Sequence, residues 1–167
     1  MNRKALFLAT SIPAILCMIA IFIFSSHTAS ESSDVSGGLI ANIAEWLIPG
    51  FDRMTQSAQE QWIEDWQFAV RKTAHFTIYA VLGLLLSLPL SFVLKKQYVF
   101  PVALLTAAVY AVSDEIHQYF VPGRSCEVRD MLIDGCGAAL GCAVFLLIRK
   151  IAQRNKSEKQ KIFKNTY

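Results

Sequence analysis

"YVFPVALLTAAVYAVSDEIHQYFVPGR", residues 98–124, is the stretch that decides the fold. Its first sixteen residues, 98–113, carry no charge; Asp114, Glu115, His117 and Gln118 then follow within five positions, just ahead of a Pro-Gly turn. An apolar run of this length suits a helix crossing a bilayer, where about 20 residues at 1.5 Å each cover a hydrocarbon core of roughly 30 Å. The two adjacent carboxylates at its end are costly to place beside hydrocarbon, so they should face other helices and find partners there.

The rest of the chain supports that reading. With 167 residues, 54% hydrophobic and 17% charged, and a mean hydropathy of +0.39, it is too apolar for an ordinary soluble domain. Four stretches reach spanning length, near Ala5 to Phe24, Thr73 to Leu94, Tyr98 to Ile116 and Met131 to Ile148. The first follows Arg3 and Lys4, and at nearly 20 apolar residues it is too long for a secretory h-region of about 7–15, so we read an uncleaved anchor. Cys17, Cys136 and Cys142 fall inside spans and only Cys126 in a loop, which gives packing residues and no disulfide framework. The expected architecture is all-α: a polytopic bundle of four transmembrane helices, residues 1–148 forming one transmembrane domain and 149–167 a basic tail.

Orientation follows from lysine and arginine. Arg3 and Lys4 precede span one, Lys95 and Lys96 join spans two and three, and Arg149, Lys150, Arg154, Lys156, Lys159, Lys161 and Lys164 follow span four. Residues 25–70 instead hold Arg53 alone against Glu31, Asp34, Glu45, Asp52, Glu60, Glu64 and Asp65. Both termini are therefore expected in the cytoplasm, and the loops at 25–72 and 117–130 outside. The net charge of +3 resides largely in the tail, which suits an anionic inner leaflet and gives no reason to invoke nucleic acid.

Within the first outer loop, "SSHTASESSDVSGGL" reads as a Ser- and Gly-rich turn before a short helix near Leu39 to Ile48, stopped by Pro49 and Gly50. From Met54 to Val70, Trp62, Ile63, Trp66, Ala69 and Val70 recur at helical spacing opposite Gln61, Glu64, Asp65 and Gln67. Two arrangements fit: an amphipathic helix lying at the outer surface with its tryptophans at headgroup level, or a small subdomain that packs them on itself. In span four, Gly137 and Gly141 form a small-xxx-small pair, which we expect to pack against another helix of the same chain.

Counting back from the basic anchors places the polar residues in one layer. His75 is 20 residues from Lys95, Asp114 is 19 from it, and Asp134 is 15 from Arg149, giving heights of roughly 30, 28 and 22 Å. Arg71, His75 and Tyr79 share one stripe of span two, Asp114, His117 and Gln118 a face of span three, and Asp130 and Asp134 a face of span four. Lys72, Arg124 and Arg129 supply further cations and Glu115 and Glu127 further carboxylates, and the "VPGR" turn should aim Arg124 back over the layer. Such a layer serves either as a salt-bridged plug tying the helix tops together or as a binding site.

Two of these stretches carry a resemblance. "VRKTAHFTIYAVLG" (70–83) and "SDEIHQYFVPGRSCEVRDMLIDGCG" (113–137) resemble the VanZ-like family of small bacterial membrane proteins, named for an accessory protein associated with resistance to the lipoglycopeptide teicoplanin. The similarity rests on Arg71, His75 and Tyr79, on Asp114, Glu115, Gln118, Pro122, Gly123, Arg124 and Asp130, and on the serine pair Ser25 and Ser26. It spans roughly residues 20–148. His27 stands where family members often have Gln, and Asp134 where they often have Asn, which adds a charge to the layer. The resemblance implies a four-helix integral protein of the bacterial cell membrane with a link to glycopeptide tolerance, and no mechanism.

Three functional classes follow. A polar pocket open to the outer leaflet suits an amphiphile such as a membrane lipid, a lipid-linked envelope precursor or a lipoglycopeptide, with Arg71 and Arg124 on its phosphate or carboxylate and Gln118, Tyr79 and His75 fixing orientation. An enzyme reading meets obstacles: Asp114 and Glu115 point about 100° apart on a helix, and Ser125 and Cys126 have no convincing base. A metal site from His75, His117, Asp114 and Asp130 has no H-x-x-x-H or H-E-x-x-H spacing behind it, so neither metal nor cofactor is expected. The third class is a scaffold that touches another membrane protein through the tryptophan helix or the Gly137/Gly141 face. We favour binding over catalysis.

Overall fold

A computed structural model describes residues 2–166, with side chains described through residue 158 and at 160. The tail residues Lys159, Lys161 and Lys164 thus lie outside the described side chains. Five helices follow in order: α1 (Arg3–Ser25), α2 (Ala29–Leu47), α3 (Gln56–Val93), α4 (Lys96–Tyr119) and α5 (Val128–Thr166), with a 3-10 turn at Phe51–Arg53 before α3. Among the described residues there is no strand. The fold is all-helical, and α1, α3, α4 and α5 are long and apolar enough to cross a membrane. The large side chains they leave exposed are those a lipid-facing surface calls for, such as Leu8, Ile12 and Phe22 on α1 and Leu105, Val109 and Ile116 on α4.

α3 is the central helix, packed on α1, α2, α4 and α5. It meets α5 at backbone contact. A methyl built on Gly137 would run into the Phe76 carbonyl, one on Gly141 into the Ala80 carbonyl, and one on Gly83 into the Ala138 carbonyl. The small-residue stripe therefore packs within the chain. Close approach is what small residues provide where lipid removes the hydrophobic drive for helices to associate. α4 completes the core with Val99, Ala103, Ala107 and Ala111, an i, i+4 stripe that is 0–1% exposed. Ile21, Tyr79, Leu82 and Ala138 close on it, and the Tyr110 hydroxyl donates to the Met18 carbonyl at 2.6 Å, tying α4 to α1.

Two expectations for the 25–72 loop are corrected. Helix α2 begins at Ala29, ten residues before the short helix read at 39–48. The cause is a capping box: Glu31 N–H donates to Thr28 Oγ1 (3.3 Å) and Thr28 N–H to Glu31 Oε2 (2.8 Å), so both ends of the first turn are satisfied. The Thr28 N–H first, and the Thr28 hydroxyl second, both donating to Glu31 Oε2, hold the Glu31 carboxyl below its ordinary range. Ser36 turns its hydroxyl back onto the Ser32 and Ser33 carbonyls, which satisfies the hydroxyl within the helix. Thr28→Ala is expected to cost about 1 kcal/mol of α2 stability. The readout is hydrogen exchange, with α2 amides exchanging severalfold faster and α4 amides unchanged.

The segment from 54 to 70 is not a separate helix. It is the first half of α3, continuous with span two, because no Gly interrupts it before Gly83 and no Pro before Pro89, and its Ala, Gln, Glu, Arg and Lys are strong helix formers. At 38 residues α3 is about 57 Å long and projects some 25 Å beyond a hydrocarbon core. α2 packs along that projection, through Ile40 and Ala44 and through Gly37 beside Ile63 and Gln67, whose amide donates to the Ser33 carbonyl. Trp62 meets Phe51 edge-on at 5.6 Å and Trp66 at 5.8 Å. Trp62 is half-buried in these contacts, whereas Trp66 stays 51% exposed.

Candidate functional site

The polar residues of α4 continue its alanine stripe. One turn past Ala111 the buried face carries Asp114, Glu115 and Gln118, exposed by 3%, 0% and 3%. His117 lies off that face: its ring stacks on Phe22 at 4.4 Å and its Nε2 is 3.1 Å from Ser26 Oγ. The expectation that His117 shares the inward face with Asp114 and Gln118 is corrected in favour of Glu115, because a stripe set by Ala107 and Ala111 passes through 114, 115 and 118 and leaves 117 to one side.

Asp114 sits in a hydrogen-bonded chain. Its Oδ2 accepts from Ser25 Oγ at 2.9 Å and from Gln118 Nε2 at 3.1 Å. Arg124 Nη1 lies 3.5 Å from Gln118 Oε1, and its Nε donates to the His27 carbonyl at 3.3 Å. The turn is held there because Gly123 takes a φ of +76°, natural only for glycine, and because Ala29 N–H donates to the Pro122 carbonyl at 3.2 Å. A side chain at 123 would also crowd Ala29. Glu115 fastens the far side of the same turn, its Oε2 accepting from Glu127 N–H at 2.9 Å. The adjacent carboxylates thus serve different partners.

A second group closes on itself. Lys72 pairs with Asp130, Arg129 with Glu127 at 2.8 Å, and Arg129 Nε lies 4.0 Å from Asp130. Lys72 and Arg129 both sit over the Phe68 ring, 5.4 and 4.7 Å from its centre. The Ser125 hydroxyl first, and Arg129 second, hold the Glu127 carboxyl below its usual range. Asp134, the next turn of α5, turns away from this group: its Oδ1 is 3.6 Å from His75 Nδ1, and it is fully buried. Tyr79 is also fully buried, in the core beside Tyr110, at 6.4 Å between ring centres.

Above these groups lies a cavity of about 290 Å³ between α1, α2 and α3. Its lining mixes polar residues, among them Ser25, His27, Ser32, Ser36, Arg71 and Arg124, with apolar Ile21, Phe24, Val35, Leu39, Val70 and Ile78. Among the described residues no carboxylate lines it. Among the described residues Arg71 makes no ion pair, whereas Lys72 and Arg129 are neutralised. Burial first, and the positive charge of Arg71 second, pull the Arg124 guanidinium below its ordinary value. Two like charges thus face one cavity whose lining is otherwise largely apolar.

Of the candidates named from sequence, Tyr79, Asp114, Glu115, Gln118 and Asp134 are brought into the helix core, Lys72 and Asp130 into the closed ion pair, Arg71 and Arg124 to the cavity, and half-buried His75 between core and cavity. The cavity residues Ser32, Val35 and Ser36 of α2 were missed, because that stretch read as a turn. Ser25 was noticed only through the family resemblance. Counting 21 residues from Lys4 puts it about 30 Å up, in the same layer as Asp114, so depth alone could have found it.

A family model described as VanZ/LLP1 matches residues 10–149. No curated protein and no solved structure matches the chain.

Proposed function

The chain belongs to the VanZ/LLP1 family, and from that premise we propose that it binds an amphiphile of the cell envelope by its anionic head in the cavity under α2. The observation that carries this reading is the pair Arg71 and Arg124 lining a largely apolar cavity with no carboxylate among its described lining. A guanidinium forks onto phosphate or carboxylate. Ile21, Val35, Leu39 and Ile78 supply contact for the first methylenes of a tail. At about 290 Å³ the cavity admits a headgroup and the start of its chain, and the remainder would lie in lipid beside α1.

In this reading the cavity faces the extracytoplasmic leaflet, since Arg3, Lys4, Lys95, Lys96, Arg149 and Lys150 gather at the other ends of the helices. A lipid-linked wall precursor or a lipid-tailed glycopeptide meets the protein from that side, which connects the cavity to teicoplanin-type tolerance. The test titrates protein in neutral nanodiscs with short-chain phosphatidic acid and with phosphatidylcholine of the same chain length. The wild type is expected to prefer the anionic lipid at least tenfold, and Arg71→Ala to lose about tenfold or more, since a charge-assisted bond contributes about 1.5–3 kcal/mol. Equal affinity for both lipids, or an unchanged Arg71→Ala, overturns the reading.

A further inference from the structure

Three helices each bring one donor to a single point below the cavity. His75 of α3, Asp114 of α4 and Asp134 of α5 offer a ring nitrogen and two carboxylate oxygens that all lie within 4.8 Å of one another. Asp134 is 0% exposed and neither of its oxygens has a hydrogen-bond partner among the described residues; Asp114 Oδ1 and His75 Nδ1 are in the same condition. Buried carboxylates are otherwise paired or bound to metal. The two oxygens of Asp114 are treated differently. Oδ2 accepts from Ser25 and Gln118, while Oδ1, like the buried hydroxyl of neighbouring Tyr79, has no hydrogen-bond partner among the described residues. That is how an outer shell orients a monodentate metal ligand.

We propose that His75, Asp114 and Asp134 form a binding site for one first-row divalent metal ion of the zinc or manganese class. A protonated imidazole is the competing way to neutralise the cluster, but a single N–H on Nδ1 can serve only one of the three bare oxygens. The nearest, Asp134 Oδ1, is 3.6 Å away, beyond a good hydrogen bond. A dication balances both carboxylates at once. One imidazole with two carboxylates suits zinc, manganese or ferrous ion, whereas calcium and magnesium favour all-oxygen sites and copper(I) favours sulfur. Bonds of about 2.1 Å in a tetrahedral site place donors about 3.4 Å apart, so donors now within 4.8 Å of one another would draw together on binding. His75 and Ser25 also line the cavity, which gives the ion a path in. This site does not depend on what occupies the cavity, because Arg71 and Arg124 take no part in it.

The test uses the full-length protein in nanodiscs, stripped with chelator and titrated with Zn²⁺, Mn²⁺ and Co²⁺. About one equivalent is expected to bind, with Co²⁺ giving the visible d–d bands of nitrogen and oxygen coordination. Asp134→Asn and His75→Gln should weaken binding at least tenfold, and Glu127→Gln, whose carboxylate pairs with Arg129 in the turn, less than twofold. Arg71→Ala should bind metal as the wild type does, which separates failure of this site from failure of the anion cavity. No stoichiometric binding and no d–d bands in the wild type overturns the proposal even if a variant fails to fold. Undiminished binding by a folded Asp134→Asn also overturns it.

Discussion

Gly141→Ala is expected to destabilise the bundle by about 3 kcal/mol, while Gly135→Ala, the same change less than two turns away on α5, stabilises it by about 0.5–1 kcal/mol. Both estimates follow from what an added methyl meets. At Gly141 it falls within the van der Waals envelope of the Ala80 carbonyl and crowds the Leu84 amide nitrogen, so α3 and α5 must separate along their shared seam. Backbone cannot sidestep as a side chain would, and overpacking of this kind sits at the upper end of the usual 1–3 kcal/mol. At Gly135 the same methyl meets nothing within 4 Å, and what remains is the gain in helix propensity from removing a flexible residue. Unfolding in mixed micelles measures both. Equal effects of the two changes would mean that α3 and α5 do not meet at Gly141.

Asp114→Ala is expected to cost about 3 kcal/mol. The carboxylate oxygen it removes holds Ser25 and Gln118 together, and Gln118 in turn meets Arg124. Losing two hydrogen bonds to a carboxylate costs about 1.5–3 kcal/mol each, offset in part by the remaining Gln118 Nε2 to Ser25 Oγ bond and by removing the unpartnered Oδ1. Asp114→Asn should behave differently. Its amide oxygen can accept from Ser25 and Gln118, and its NH₂ can face Asp134, so in chelator-treated protein the change should be neutral or slightly stabilising. Melting curves of the two variants beside the wild type decide this; an Asp114→Ala protein as stable as the wild type would remove Asp114 from the centre of the network.

The parts of this molecule legible in its sequence are those governed by a single scale. Hydrocarbon thickness set the four spans, and counting at 1.5 Å per residue placed His75, Asp114 and Asp134 in one layer before any contact was known. The packing of Gly137 and Gly141 was legible because few residues other than glycine allow two backbones to touch. Composition misled where local hydrogen bonds override it: the Ser- and Gly-rich run from 29 to 38 is helical because Thr28 and Glu31 cap it. The cavity wall on α2 was therefore invisible. Spacing also could not show that His75, Asp114 and Asp134 converge, since their donors come from three helices and ligand motifs describe one.

The most direct measurement of the anion-binding reading is photo-crosslinking of the purified protein with an acyl phosphate lipid whose photoreactive group sits beside the phosphate, followed by peptide mapping. Adducts are expected on residues 21–39 and 70–78 and at Arg124, competed away by unlabelled phosphatidic acid and absent in Arg71→Ala. Adducts confined to the lipid-facing sides of α1, α4 and α5, uncompeted and unchanged in Arg71→Ala, would contradict it.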